Sequence, residues 1–279
     1  MNDARQPKMK NTDVLFISHG GGPLPLLGDP GHQEMVSTLE SLANTLPKPD
    51  AILVISAHWE ASRPTVTSSA QPGIVYDYGG FPPEAYQIQY PSPGAPELAT
   101  QITTALKQSG IEAESDPGRP YDHGLYVPLK LMYPDADIPS IQLSLIEGLD
   151  PDLHIRIGEV LRSVTTNLPA DKRLLVIGSG FSFHNMRAFF MPESPDMQNA
   201  NAEFQHWLED TCLNPTLSEA ERRQRFVHWA EAPYARYCHP REEHLLPLHV
   251  CYGLAGRAAD QHLSATILSK ASGMYAWRA

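Results

Sequence analysis

Apolar residues in this chain come in short unbroken runs set between amphipathic stretches. Val14-Leu15-Phe16-Ile17, Ala51-Ile52-Leu53-Val54-Ile55 and Leu174-Leu175-Val176-Ile177 are too short for free-standing helices and show no polar alternation. They predict buried strands. Between the first two, Met35, Leu39, Leu42 and Leu46 recur at helical spacing and predict a helix over residues 32–46. Strand, helix, strand in so short a stretch is a βαβ unit, which makes the two strands parallel. Further strands are expected at 65–67, 111–115, 138–145, 264–268 and 274–277. Helices are expected at 97–106, at 151–165 and across 201–229, the last divided at Asn214-Pro215. A helix opening near Pro240 would carry Glu242, Glu243 and His244 in its first turn. The pattern gives an α/β fold: a single domain with a central mixed, largely parallel sheet flanked by helices. Residues 1–12 read as a flexible tail and 13–279 as one α/β domain.

Three of the predicted strands stop abruptly beside a histidine. The first runs into Ser18-His19-Gly20-Gly21-Gly22-Pro23, the second into Ser56-Ala57-His58-Trp59-Glu60, and the run ending at Ile177 into Gly178-Ser179-Gly180-Phe181-Ser182-Phe183-His184. Glycines cannot usefully prolong a strand, and they clear space beside the imidazole. In parallel strands these ends share one edge, the carboxyl edge where open α/β sheets place their sites. His19 and His58 make a first pair of metal ligands on rigid elements. Spacing leaves the third ligand open between His244 and His184. Of the other histidines, His206 and His228 lie beside tryptophans on helices, His32, His154 and His262 read as solvent-facing, and His239 and His249 flank His244. An irregular stretch from Gln71 to Pro96 is rich in aromatic residues, among them Tyr78 and Phe81. Its rings either line a pocket or pack the loop onto the sheet.

Composition narrows the partners. A net charge of -11, from 21 Lys+Arg against 32 Asp+Glu, argues against nucleic acid and against an anionic membrane surface. Cys212, Cys238 and Cys251 form no C-x-x-C pair, so neither a disulfide framework nor a thiolate zinc site is expected. No secretory signal or membrane span is apparent, and a cytoplasmic location follows as the expectation. No G-x-S-x-G elbow is present, and Gly178-x-Gly180 lacks the third glycine of a dinucleotide fingerprint.

Six motifs, in order, together resemble the class III extradiol ring-cleavage dioxygenases, most closely their DOPA 4,5-dioxygenase branch. They are Ser-His-Gly-Gly-Gly-Pro at 18–23, Ser-Ala-His-Trp-Glu at 56–60, Tyr-Asp-Tyr-Gly-Gly-Phe-Pro at 76–82, Asp-His-Gly at 122–124, Gly-Ser-Gly-Phe-Ser-Phe-His-Asn at 178–185 and Arg-Glu-Glu-His-Leu-Leu-Pro-Leu at 241–248. The resemblance implies a non-haem metal enzyme that opens a catechol-type ring with O₂. It implies His19, His58 and His244 as ligands of one ion per chain, His184 as the acid/base histidine and His123 as its assistant. Three imidazoles suit Fe(II) or Zn(II) alike. Tyr78 and Phe81 are expected to pack the substrate ring. Competing expectations are a zinc hydrolase with Glu60 or His184 as base, and a metal-holding binding protein of the same superfamily. A C-terminal edge strand could pair two copies into a homodimer.

Overall fold

The computed structural model describes residues 9–279. Eight strands form one sheet: β1 (Thr12–Ser18), β2 (Ala51–Ala61), β3 (Thr65–Thr67), β4 (Glu114–Asp116), β5 (Ser140–Ile146), β6 (Leu174–Gly180), β7 (Gln261–Ile267) and β8 (Lys270–Trp277). Their order is β4-β3-β5-β2-β6-β1-β8-β7. The centre is parallel, with β6 between β1 and β2 and β5 beyond β2. β8 and β7 add an antiparallel ribbon on one side, and β3 crosses antiparallel to β5 on the other. The single-domain α/β fold with a mixed, largely parallel sheet is as expected from the sequence.

The helices are α1 (Gln33–Thr45), α2 (Pro96–Gln108), α3 (His123–Met132), α4 (Pro151–Thr166), α5 (Met186–Phe189), α6 (Pro195–Leu213), α7 (Glu219–Val227), α8 (Ala235–Cys238) and α9 (Leu246–Ala255). Strand alternation sorts them into two layers. Gly178 and Gly180 face α9 and the segment before it: a methyl group there would meet Pro247 O at 2.7 Å and His244 O at 2.1 Å. Ser179 points the other way and donates its hydroxyl to Gly124 O on α3. α9 packs on α4 behind one face, and α1 lies with α3 on the other. Strands β1 and β6 are buried along their whole length, which explains their lack of alternation.

Several expectations need correction. The strand expected at 111–115 is shifted to β4, and that expected from 138 starts at Ser140 because Pro139 cannot donate to a ladder. No helix opens at Pro240; residues 240–245 form turns and α9 begins at Leu246. His32 and His154 are fully buried, not solvent-facing. His32 accepts from Gly21 N at 2.9 Å and bonds Asp29 at 2.8 Å, pinning the glycine loop after β1. His154 accepts from Ile146 N at 3.2 Å and donates to Asp150 O at 2.7 Å. Each replaces a missing backbone partner, a role that sequence periodicity does not register. His262 is half-buried against Tyr275.

The expected tail lies outside the described residues in its first eight positions; Met9 packs into the core and Thr12 opens β1. Strand β7 is the sheet's edge, and Glu34 accepts from its Thr266 N at 2.7 Å, which occupies one donor of that edge. Among the described residues, no helix is long and apolar enough to cross a membrane.

Buried histidines set an acid limit on stability. Burial holds His154 below its ordinary value and lowers His239 to about 3 and His249 to about 4. Unfolded, each would bind a proton near pH 6.5, so the unfolded state binds more protons below that point. Stability is therefore present above pH 6.5 and falls as pH drops, by about 1 kcal/mol for each of His239 and His249 between pH 7 and 5.5. Urea midpoints of the metal-free protein should fall over that interval; equal midpoints would contradict it.

Candidate metal centre

Each histidine reaches the carboxyl edge for a local reason. His19 directly follows β1, and its N–H bonds Gly180 O at 3.3 Å at the end of β6. His58 lies inside β2, where pairing with β5 slips between Ser56 and Glu60. Such an irregularity re-aims a side chain out of the pleat. The Ser56 hydroxyl accepts from His58 N at 3.2 Å and donates to buried Asp122 at 2.7 Å, which fixes the slip. His244 sits in the turn before α9. Gly180 lets that turn close on the sheet, with Phe181 N donating to His244 O at 2.9 Å. His123 opens α3, and His184 lies four residues past β6.

The five imidazoles form one cluster. His58 Nε2 is 2.9 Å from His19 Nε2 and 3.3 Å from His244 Nε2. His123 lies against His58 with ring centroids 3.8 Å apart, and His184 stacks on His244 at 3.4 Å. Ring nitrogens of His19, His58 and His123 fall within 4.8 Å of one another, as do ligand atoms of His184, Glu243 and His244.

The outer nitrogens are held by partners that fix the tautomers. Ser179 spends its one proton on Gly124 O, so at 3.0 Å it accepts from His19 Nδ1–H. His244 Nδ1 donates to Glu243 Oε1 at 3.0 Å, and His184 Nδ1 lies 3.2 Å from the same oxygen. His123 Nδ1 donates to Asp77 Oδ1 at 2.8 Å. Burial raises both carboxyls, but hydrogen bonds from His184 to Glu243 and from His123 to Asp77 outweigh it and leave both below the usual carboxylate range. Burial, then the neighbouring histidines, holds His19 and His244 well below ordinary values; His58 is lowered by burial and His123 against the pull of Asp77. These imidazoles are neutral, with the Nε2 lone pairs of His19 and His244 turned towards His58.

This donor set fits a borderline divalent ion. Neutral imidazoles are the ligands iron and zinc take, and a tetrahedral ion with bonds of about 2.0–2.1 Å separates its donors by about 3.3 Å. Lone pairs converging in a buried space call for a cation between them.

Sequence reading named the histidines but missed their supports. Asp77, Ser179 and Glu243 each lie within a quoted motif, and Glu243 directly precedes His244. The acidic residue directly before His244 was the signal available for Glu243. Glu60, a candidate hydrolytic base, is held by Arg241 through two contacts of 2.6 Å. Tyr78 sets its ring 5.8 Å from that of His123, and Phe81 lies edge-on to Tyr78 at 5.4 Å. The Tyr78 hydroxyl donates to Ala85 O at 2.7 Å, so the loop aromatics both clip the loop together and border the centre.

Fold and site together define an α/β metal-binding enzyme with a histidine centre at the carboxyl edge of parallel strands. Residues 13–277 match the family described as the catalytic LigB subunit of aromatic ring-opening dioxygenase. The chain is 38% identical to a 4,5-DOPA dioxygenase extradiol of Beta vulgaris, over 90% of each chain. It is also 38% identical to the dioxygenase tasH of Hapsidospora irregularis, over 89% of this chain and 79% of that one. The crystal structure of an uncharacterized Escherichia coli K12 protein superposes with a TM-score of 0.73 at 26% identity, covering 95% of this chain and 99% of its own. The chain belongs to the LigB family of aromatic ring-opening dioxygenases, and the resemblance drawn from its six motifs is borne out.

Proposed function

We propose that this enzyme opens catechols beside the diol, in the extradiol sense, with DOPA-like compounds as its substrate class and iron as its working metal. The observation that carries the reading is the convergence of His19, His58 and His244 through Nε2, with His184 and His123 flanking them. His19, His58 and His244 would hold the ion. When bound, Fe(II) supplies Lewis acidity towards the catechol oxygens and the redox link between ring and O₂. Names of relatives at 35–38% identity support the extradiol assignment and the DOPA-like class.

The chain's own residues then supply binding and proton traffic. His184 has Nδ1 occupied by Glu243, so Nε2 is the nitrogen free to accept a catechol proton and later return it. Glu243 fixes that tautomer for His184 and His244 together, which couples the base to the ligand set. His123, oriented by Asp77, offers its other nitrogen beside His58 for a second hydrogen bond to substrate. Imidazole suits such work because its ordinary pKa lies near neutrality.

Tyr78 and Phe81 are assigned to the ring's flank. Tyr78→Ala should raise KM about three- to tenfold with a smaller effect on kcat, the cost of one lost aromatic contact. An unchanged KM would remove Tyr78 from the site. The function itself is tested by anaerobic reconstitution with Fe(II) and, separately, Zn(II), followed by DOPA or 4-ethylcatechol in air. Yellow ring-opened semialdehyde with iron alone is expected. Product from the zinc form would overturn the metal assignment, and no product from either metal would overturn the reaction.

A further inference from the structure

Beside the histidine centre lies a cavity of about 620 Å³, bordered by His184 and Glu243 themselves. A single catechol ring leaves most of that space unfilled, since cavities of about 300–1,000 Å³ accommodate much larger ligands. Met186, Met191 and Met197 supply adaptable apolar wall, joined by Tyr237. Two guanidinium groups also border the cavity. Arg241 is committed to Glu60 and lies 3.5 Å from Glu243. Arg187, exposed on α5, forms no side-chain hydrogen bond or ion pair among the described residues. In a chain with 32 acidic against 21 basic side chains, a cation left without a carboxylate partner at this position is informative.

We propose that Arg187 binds a carboxylate at the end of the catechol's substituent, and that the methionine walls take the apolar link between ring and acid. The proposal rests on the ring-opening reading and adds to it a residue that selects substrate. A guanidinium matches a carboxylate through two parallel N–H donors. His184 and Arg187 both line this cavity, so one molecule could meet the imidazole through its diol and the guanidinium through its acid.

The test uses the metal-loaded protein under anaerobic conditions, so that binding is read without turnover. Calorimetric titration compares 3-(3,4-dihydroxyphenyl)propanoate with its methyl ester at pH 7.5. The acid should bind about three- to fivefold more tightly than the ester, the effect of one exposed ion pair. In Arg187→Gln that preference should vanish, with the loss falling on the acid. Equal affinities in the unaltered protein, a preference that survives in the variant, or equal weakening of acid and ester would each overturn the proposal. Ring opening is judged separately, on 4-ethylcatechol in air, which carries no carboxylate. An intact preference for the acid with no ring-opened product would sink the catalytic reading and leave the carboxylate site standing.

Discussion

Replacing His58 by alanine is expected to strip the metal and abolish ring opening. His58 Nε2 lies 2.9 Å and 3.3 Å from the other two proposed ligand atoms, so its loss leaves two nitrogens with no donor between them. Mutating residues that merely support metal ligands costs roughly 10–100-fold in metal affinity, and deleting a ligand should cost more than that. His19→Ala and His244→Ala should behave alike. Metal content after gel filtration, with circular dichroism to confirm folding, gives the answer. Near-stoichiometric metal in any of the three would exclude that residue as a ligand. Normal metal in His244→Ala together with loss in His184→Ala would exchange the roles assigned to those two side chains, which stack face to face.

His184→Ala is the second large effect, and it should differ in kind. The variant should keep its metal and lose about 10²–10⁴-fold in kcat, the usual cost of removing a general acid or base. Glu243 still holds His244 through Nδ1 when His184 is gone, so the ligand set survives. Both readouts are needed, because a fall in kcat with a matching fall in metal content would place His184 among the ligands. Full activity would remove it from the proton path.

Much of the fold could be read from the chain because its central strands are buried on both faces. Continuous apolar runs at β1, β2 and β6 followed from that burial, and the intervening helix of 32–46 implied that β1 and β2 run parallel, which they do with β6 between them. What failed to appear in the pattern was hydrogen-bonding context. Nothing in local sequence distinguishes buried His32, which holds the glycine loop, from a surface histidine. Pro240 and two glutamates imitate a helix N-terminus, although His244 sits in a turn before α9. Those glutamates serve other partners: Glu243 holds His184 and His244, and Glu242 pairs with Arg236 at 2.7 Å. The apolar run places His58 past the end of its strand, although β2 continues through an irregular register to Ala61. His19 and His58 were legible as histidines where apolar runs end; the tautomers were not, because that of His19 depends on Ser179 on β6 and that of His184 on Glu243 from the turn before α9.

The central claim is that the histidine centre joins O₂ to a catechol ring, and oxygen uptake by the iron-loaded protein tests it most directly. With 4-ethylcatechol as substrate, consumption of one O₂ for each ring opened, together with a yellow semialdehyde, is the predicted result. Catechol loss or product formation without oxygen uptake would contradict the account and turn the same histidines towards hydrolytic chemistry.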